Sequence, residues 1–167
     1  MQRDYDAIAR DVSAALPGCS TRDDRMRLVA DVCWTHLAER GVSWIGFYTL
    51  EPGSDEMLLG PRRDKPACSP IGLHGACGQS ATAGQTLVVT HVDRLGEGYV
   101  ACDPKDTSEL VIPCFEPAAD GTDRCWGVLD ADSFDEGSFD AADAAELAAL
   151  LHTAGLSSVV TPAVRMV

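Results

Sequence analysis

The segment Val42-Ser-Trp-Ile-Gly-Phe-Tyr-Thr-Leu50 is rich in β-branched and aromatic residues, and Glu51-Pro-Gly-Ser-Asp55 separates it from a second apolar stretch, Glu56-Met-Leu-Leu59. β-Branched and aromatic residues favour strands, and Pro, Gly, Ser and Asp favour turns. The pattern therefore predicts a β-hairpin. Trp44 and Tyr48 are four positions apart in its first strand, so they lie on the same side, where they could line a pocket or fill a core.

Helical and strand patterns extend outward from this hairpin. Apolar residues at helical spacing predict helices over 4–16, 21–40 and 140–153, with a short helix at 79–84. Further strands are expected over 86–90, 110–115 and 125–132. Most connections are too short for parallel crossovers, so we expect the α+β class, with a sheet of about six antiparallel strands flanked by N-terminal and C-terminal helices. A length of 167 residues suits one domain over 1–167, with N-terminal helices at about 4–40 and a core at about 42–153.

Charge and hydropathy disfavour several classes of partner. The formal net charge is −13, and no Lys/Arg cluster offsets it locally, so the chain should repel nucleic acids and anionic membranes. No apolar run approaches the roughly 20 residues of a membrane span, and the first residues lack the apolar core of a signal peptide. We therefore expect a cytoplasmic protein with a small-molecule or protein partner.

The chain has seven cysteines, an odd count that argues against a structural disulfide framework. Without a C-x-x-C or H-x-x-x-H pair a metal site is poorly supported, and none is expected. Apolar segments hold four of the cysteines, which we interpret as structural: Cys19, Cys33, Cys114 and Cys125. Cys68, Cys77 and Cys102 fall in segments interrupted by Gly and Pro, where loops with reachable thiols are predicted.

Two local patterns suggest reactive groups. Asp103-Pro104 directly after Cys102 predicts a helix start, whose free amide groups would lower the pKa of the Cys102 thiol; the alternative is an inert loop thiol. Asp130 and Asp132 alternate in a strand and so share a face, where each raises the pKa of the other. Such a pair could bind an ammonium group or hold a proton at neutral pH, or it could merely solvate the following turn.

These segments together resemble the free methionine-(R)-sulfoxide reductases, which are stand-alone GAF domains. The resemblance covers Val42 to Phe139 and rests on these motifs: Trp44-Ile-Gly-Phe-Tyr48, Gly60-Pro61, Lys65-Pro-Ala-Cys68, Gly75-Ala-Cys-Gly78, Ala101-Cys-Asp103, Ser108-Glu-Leu-Val111 and Gly127-Val-Leu-Asp-Ala-Asp-Ser133. The loop between Cys68 and Cys77 is shorter than in the family pattern.

The resemblance implies a GAF fold and a set of roles. Cys102 would be the nucleophile, Cys68 the resolving cysteine and Cys77 an accessory or alternative resolver. Substrate contacts would come from Trp44, Tyr48, Glu109, Asp130 and Asp132, with Glu109 and Asp132 also serving catalysis. Free methionine sulfoxide would be the substrate, thioredoxin or a similar dithiol the reductant, and the assembly a homodimer, with no cofactor.

Two other functions suit the same fold, because one fold hosts many functions. A GAF-type sensor would bind a small ligand and need no reactive cysteine. A redox-sensing module would form a disulfide with peroxide but would not consume methionine sulfoxide.

Overall fold

A computed structural model describes residues 3–96, 99 and 102–167. In this part of the chain the α-helices are α1 (Tyr5–Ala15), α2 (Arg22–Leu37), α3 (Ala76–Ala83) and α4 (Ala141–Thr153). The strands are β1 (Trp44–Thr49), β2 (Glu56–Arg63), β3 (Ile71–Gly72), β4 (Thr86–Val89), β5 (Ser108–Pro117), β6 (Asp123–Ser133) and β7 (Val164–Met166). Short 3-10 turns occupy Leu16–Gly18, Ala38–Arg40 and Val92–Leu95.

The strands form one sheet in the order β3-β2-β1-β6-β5-β4-β7. Neighbouring strands are antiparallel, except that β7 runs parallel to β4. The α+β class is confirmed, with seven strands rather than about six. Strands β3 and β7 correspond to no segment that the sequence predicted as a strand. They have only two and three residues, too few to show the alternation by which a strand is recognised.

The two faces of the sheet carry different layers. Ile45 and Phe47 of β1 belong to the larger core, which also contains the apolar side chains of α1, α2 and α4. Trp44 and Tyr48 lie on the opposite face with α3, as their even spacing predicted. Side-chain hydrogen bonds cap the N-termini of the helices that pack on the larger core. At α4, Asp140 accepts hydrogen bonds from the backbone amides of Ala142 and Asp143.

The Gly and Pro residues of the segment 60–78 predict a long irregular loop, but the segment contains more regular structure than that. β2 continues through Pro61 to Arg63, because a register shift in the β1–β2 pairing between Gly46 and Tyr48 accommodates a residue without an amide proton. Helix α3 begins at Ala76, three residues before the predicted start. The irregular part is therefore confined to 64–75, around the two-residue strand β3.

Among the described helices, each is too short or too polar to cross a membrane.

Candidate active site

A cavity of about 250 Å³ lies on the face of the sheet that carries α3. Strands β1, β5 and β6 form one side, while α3, residues from the segment 67–75, and Tyr99, Cys102 and Asp106 form the other. The cavity brings together all eight residues that the sequence nominated: Trp44, Tyr48, Cys68, Cys77, Cys102, Glu109, Asp130 and Asp132.

Strand register places the acids side by side. Glu109 of β5 pairs with Asp132 of β6, and Asp132 pairs in turn with Trp44 of β1. Asp130 lies two residues before Asp132 and so emerges on the same face, opposite Gly46. Three neighbouring strands therefore contribute adjacent side chains to the sheet side of the cavity, which we call its floor.

The aromatic wall depends on Gly46. The rings of Trp44 and Tyr48 are 6.1 Å apart between centroids. A Cβ atom at Gly46 would lie 2.6 Å from a carbon of the Trp44 indole, closer than atoms can pack. A glycine here therefore leaves room for the indole, and both aromatic side chains line the cavity while being almost fully buried.

Two hydrogen bonds attach the segment 65–68 to β1, and one ion pair joins it to the segment that contains Cys102. The indole N–H of Trp44 donates to the carbonyl of Lys65 over 3.0 Å, and the Tyr48 hydroxyl donates to the carbonyl of Cys68 over 2.9 Å. The Lys65 ammonium forms an ion pair with Asp103, which follows Cys102. As a result the Cys68 and Cys102 thiols are neighbours, and both residues are exposed.

The expected helix after Cys102 is absent from the described residues 102–107, and the predicted lowering of the Cys102 pKa is wrong. Asp103-Pro104 forms a tight turn closed by the Asp106 amide on the Asp103 carbonyl at 3.0 Å. Residues 103–107 therefore place no helix N-terminus next to the sulfur. Instead, desolvation and the adjacent Cys68 thiol raise the pKa of Cys102 to about 12.

Cys77 is also placed differently from the prediction. It occupies the first turn of α3 and is 5% exposed, so it is not a loop thiol. Gly78 permits this placement, because a Cβ there would lie 2.2 Å from the Cα of Leu73. Burial, followed by the charges of Asp130 and Glu109, raises the pKa of Cys77 well above its usual value.

The pKa values of all three carboxyl groups are raised, but burial rather than the pairing of Asp130 with Asp132 is the largest cause. Burial raises the pKa values of Glu109 and Asp132 well above normal, and the charge of Asp130 raises both further. Burial also raises the pKa of Asp130, to about 7. Asp130 Oδ1 is buried and makes no hydrogen bond to any described residue. Burial therefore favours the protonated form of Glu109 and Asp132, next to one carboxyl group whose pKa lies near neutrality.

Two further residues of this site were not singled out in the sequence. The Tyr99 hydroxyl donates to Oε2 of Glu109 over 3.0 Å, and its own pKa is raised by burial and by the Glu109 charge. Asp106 is 8% exposed and accepts a hydrogen bond from the Ser43 hydroxyl over 3.1 Å. The sequence carried no signal for either, since both contacts join segments without a shared periodicity.

The arrangement offers a defined chemistry. Two neighbouring thiols can cycle between reduced and disulfide forms, and buried acids can donate a proton or bind a cationic group. Among the described residues that line the cavity, none is Lys or Arg. A small ligand with a positive charge and an apolar part would suit the acids and the aromatic wall.

Comparisons with known proteins find several relatives, although no family model matches the chain. The free methionine-R-sulfoxide reductase of Escherichia coli is 31% identical over 81% of this chain and 76% of its own length. The free methionine-R-sulfoxide reductase of Saccharomyces cerevisiae is 35% identical over 61% of this chain, and the match spans 55% of the yeast protein. The Neisseria meningitidis free methionine-R-sulfoxide reductase, solved in complex with its substrate, superposes with a TM-score of 0.79 at 32% identity, covering 90% of this chain and 85% of that one. The fold is that of solved GAF domains.

Proposed function

Because this chain belongs to the free methionine-R-sulfoxide reductases, a family of oxidoreductases, we propose that it reduces free methionine (R)-S-oxide to methionine with Cys102 as nucleophile. The observation that carries the proposal is the position of the Cys68 and Cys102 thiols beside a cavity floored by three carboxyl groups. A ligand-binding sensor does not require that combination.

Substrate binding would use both sides of the cavity. An ionised Asp130 would bind the ammonium group of free methionine sulfoxide, since its pKa of about 7 leaves it largely charged above neutrality and its Oδ1 lacks a partner among the described residues. Trp44 and Tyr48 would pack against the apolar part of the substrate and exclude water. A ligand without the ammonium charge, such as an N-acetylated substrate, should bind poorly.

The chemical step would transfer oxygen to Cys102. The thiol loses its proton to a neighbouring carboxylate, and the sulfur attacks the sulfoxide sulfur while a protonated Glu109 or Asp132 donates to the sulfoxide oxygen. The oxygen then passes to Cys102: a Cys102 S–O bond forms while the sulfoxide S–O bond and the transient S–S bond break. Methionine and a Cys102 sulfenic acid result, with two electrons supplied by the thiol and no net change in protons.

Recycling would use Cys68. Its thiol condenses with the sulfenic acid to a disulfide and releases water, and an external dithiol such as thioredoxin then restores both thiols. The proximity of Cys68 to Cys102 and the burial of Cys77 in α3 support Cys68 as the resolving cysteine. We further propose that the chain works in the reducing cytoplasm as a homodimer.

The test is to incubate the reduced protein with each diastereomer of free methionine sulfoxide and to measure methionine formed and thiols lost. We expect one methionine and two lost thiols per chain with the R form only, and no product with Cys102→Ser. Cys125→Ser, which alters a thiol of β6 that does not line the cavity, serves as the matched control. A sensor would form no methionine, and a redox-sensing module would lose thiols to peroxide only; either result would reject the proposal.

A further inference from the structure

Donor atoms from three different elements converge at the inner end of the cavity. Cys77 comes from α3, Glu109 from β5 and Asp130 from β6. One sulfur or oxygen atom of each lies within 4.8 Å of the others. The three residues are only 5%, 4% and 6% exposed, respectively. A mixed thiol and carboxylate set of this kind is uncommon on an ordinary solvated surface.

One carboxyl oxygen of the cluster lacks the hydrogen-bond partner that a buried oxygen usually has. Asp130 Oδ1 is buried without a hydrogen bond from any described residue. Such an atom costs free energy unless a ligand supplies the missing partner. Because the described lining includes neither Lys nor Arg, a cation from solution is the group that would satisfy it.

We propose that the reduced protein binds one thiophilic divalent cation of the zinc type at Cys77, Glu109 and Asp130. Zinc accepts sulfur and oxygen ligands together, whereas magnesium and calcium select oxygen alone. Tetrahedral zinc places a sulfur and an oxygen ligand about 3.6 Å apart, so the donors need to approach by at most about 1 Å. The thiol and any protonated carboxyl group release their protons on binding, and no electron transfer is involved.

The fourth coordination position would face the cavity, where water can occupy it. The metal would then hold the carboxyl groups that the proposed function assigns to the substrate, so metal and methionine sulfoxide should exclude each other. Only this competition rests on the proposed function, while the binding of the metal does not.

The experiment titrates Zn²⁺ into the reduced, oxygen-free protein by calorimetry with a competing chelator. Because Cys68 and Cys102 are exposed neighbours that could also hold zinc, the reference chain is the Cys68→Ser/Cys102→Ser variant. We expect one zinc ion per chain in this variant. Adding Cys77→Ser should weaken binding at least tenfold, and adding Cys125→Ser instead should change it less than threefold. Asp130→Asn tests the oxygen ligand, and circular dichroism verifies that each variant is folded.

Cobalt gives an independent readout that does not require a stable Cys77 variant. Co²⁺ bound to the reference chain should show a thiolate-to-cobalt charge-transfer band that zinc abolishes. Loss of zinc binding in the reference chain would assign the metal to the exposed thiol pair and overturn the inference, as would a missing cobalt band. If zinc binds as expected but no methionine sulfoxide is reduced, the proposed function fails alone; if reduction occurs without zinc binding, the inference fails alone.

Discussion

Asp130 should lower the stability of the fold as its carboxyl group ionises. Burial raises its pKa from 3.8 to about 7, which corresponds to about 4 kcal/mol at roughly 1.4 kcal/mol per pKa unit. The folded chain holds this proton more tightly than the unfolded chain. The stabilisation is therefore complete below the unfolded pKa of 3.8 and is lost as the pH rises through about 7.

Replacing Asp130 with Asn keeps the shape of the side chain and removes this ionisation. Urea unfolding of wild type and Asp130→Asn should show an advantage for the variant that grows by about 3 kcal/mol between pH 5 and pH 8. The charge of Asp130 also raises the pKa values of Glu109 and Asp132. Removing that charge therefore adds to the gain of Asp130→Asn over wild type in free energy of unfolding as the pH rises. Asp55→Asn in the exposed β1–β2 turn controls for the loss of one negative charge. A difference that stays constant with pH, or a variant that becomes the less stable protein at pH 8, would refute this reasoning.

Three further outcomes are expected. Tyr99→Phe removes a hydrogen bond that favours ionised Glu109. The alkaline limb of the kcat/KM profile should therefore shift to higher pH by as much as about one pH unit. An unmoved limb would show that Glu109 is not the acid. Alkylation of Cys102 by iodoacetamide, followed by mass spectrometry, should be slow at neutral pH and still accelerate above pH 10, since its pKa is about 12; a plateau in the rate before pH 9 would contradict the structure. In single turnovers Cys68→Ser should stop at a trappable sulfenic acid, whereas Cys77→Ser should still form the disulfide; the reverse pattern would make Cys77 the resolving cysteine.

Short-range periodicity predicted two pairs of residues in this site, loop composition predicted the three cysteines, and the family resemblance alone assigned Glu109. Alternation within a strand was enough to place Trp44 with Tyr48 and Asp130 with Asp132, because side chains two or four residues apart share a face. The pairing of β5 with β6 then brought Glu109 beside these acids.

The features that the sequence did not predict depend on contacts between distant segments. The hydrogen bond from Tyr99 to Glu109 and the ion pair between Lys65 and Asp103 have no local pattern. Asp103-Pro104 resembles a helix start, but β5 begins at Ser108 and the five residues 103–107 leave room only for a turn. Without that helix nothing in residues 103–107 offsets the desolvation and the adjacent Cys68 thiol, which raise the pKa of Cys102.

The two faces of the sheet explain how this fold tolerates three buried carboxyl groups, whose burial is unfavourable in free energy. Leu110 alternates with Glu109 in β5, and Ala131 lies between the two acids of β6; both are buried in the larger core against the helical layer. Apolar burial on that face stabilises the same strands whose opposite face holds the carboxyl groups. The backbone register therefore holds the oxygens of these acids close together, although the charge of Asp130 is unfavourable for a charge on Asp132. Any ligand that brings positive charge to this floor relieves that repulsion, so occupancy of the cavity and stability of the fold should rise together.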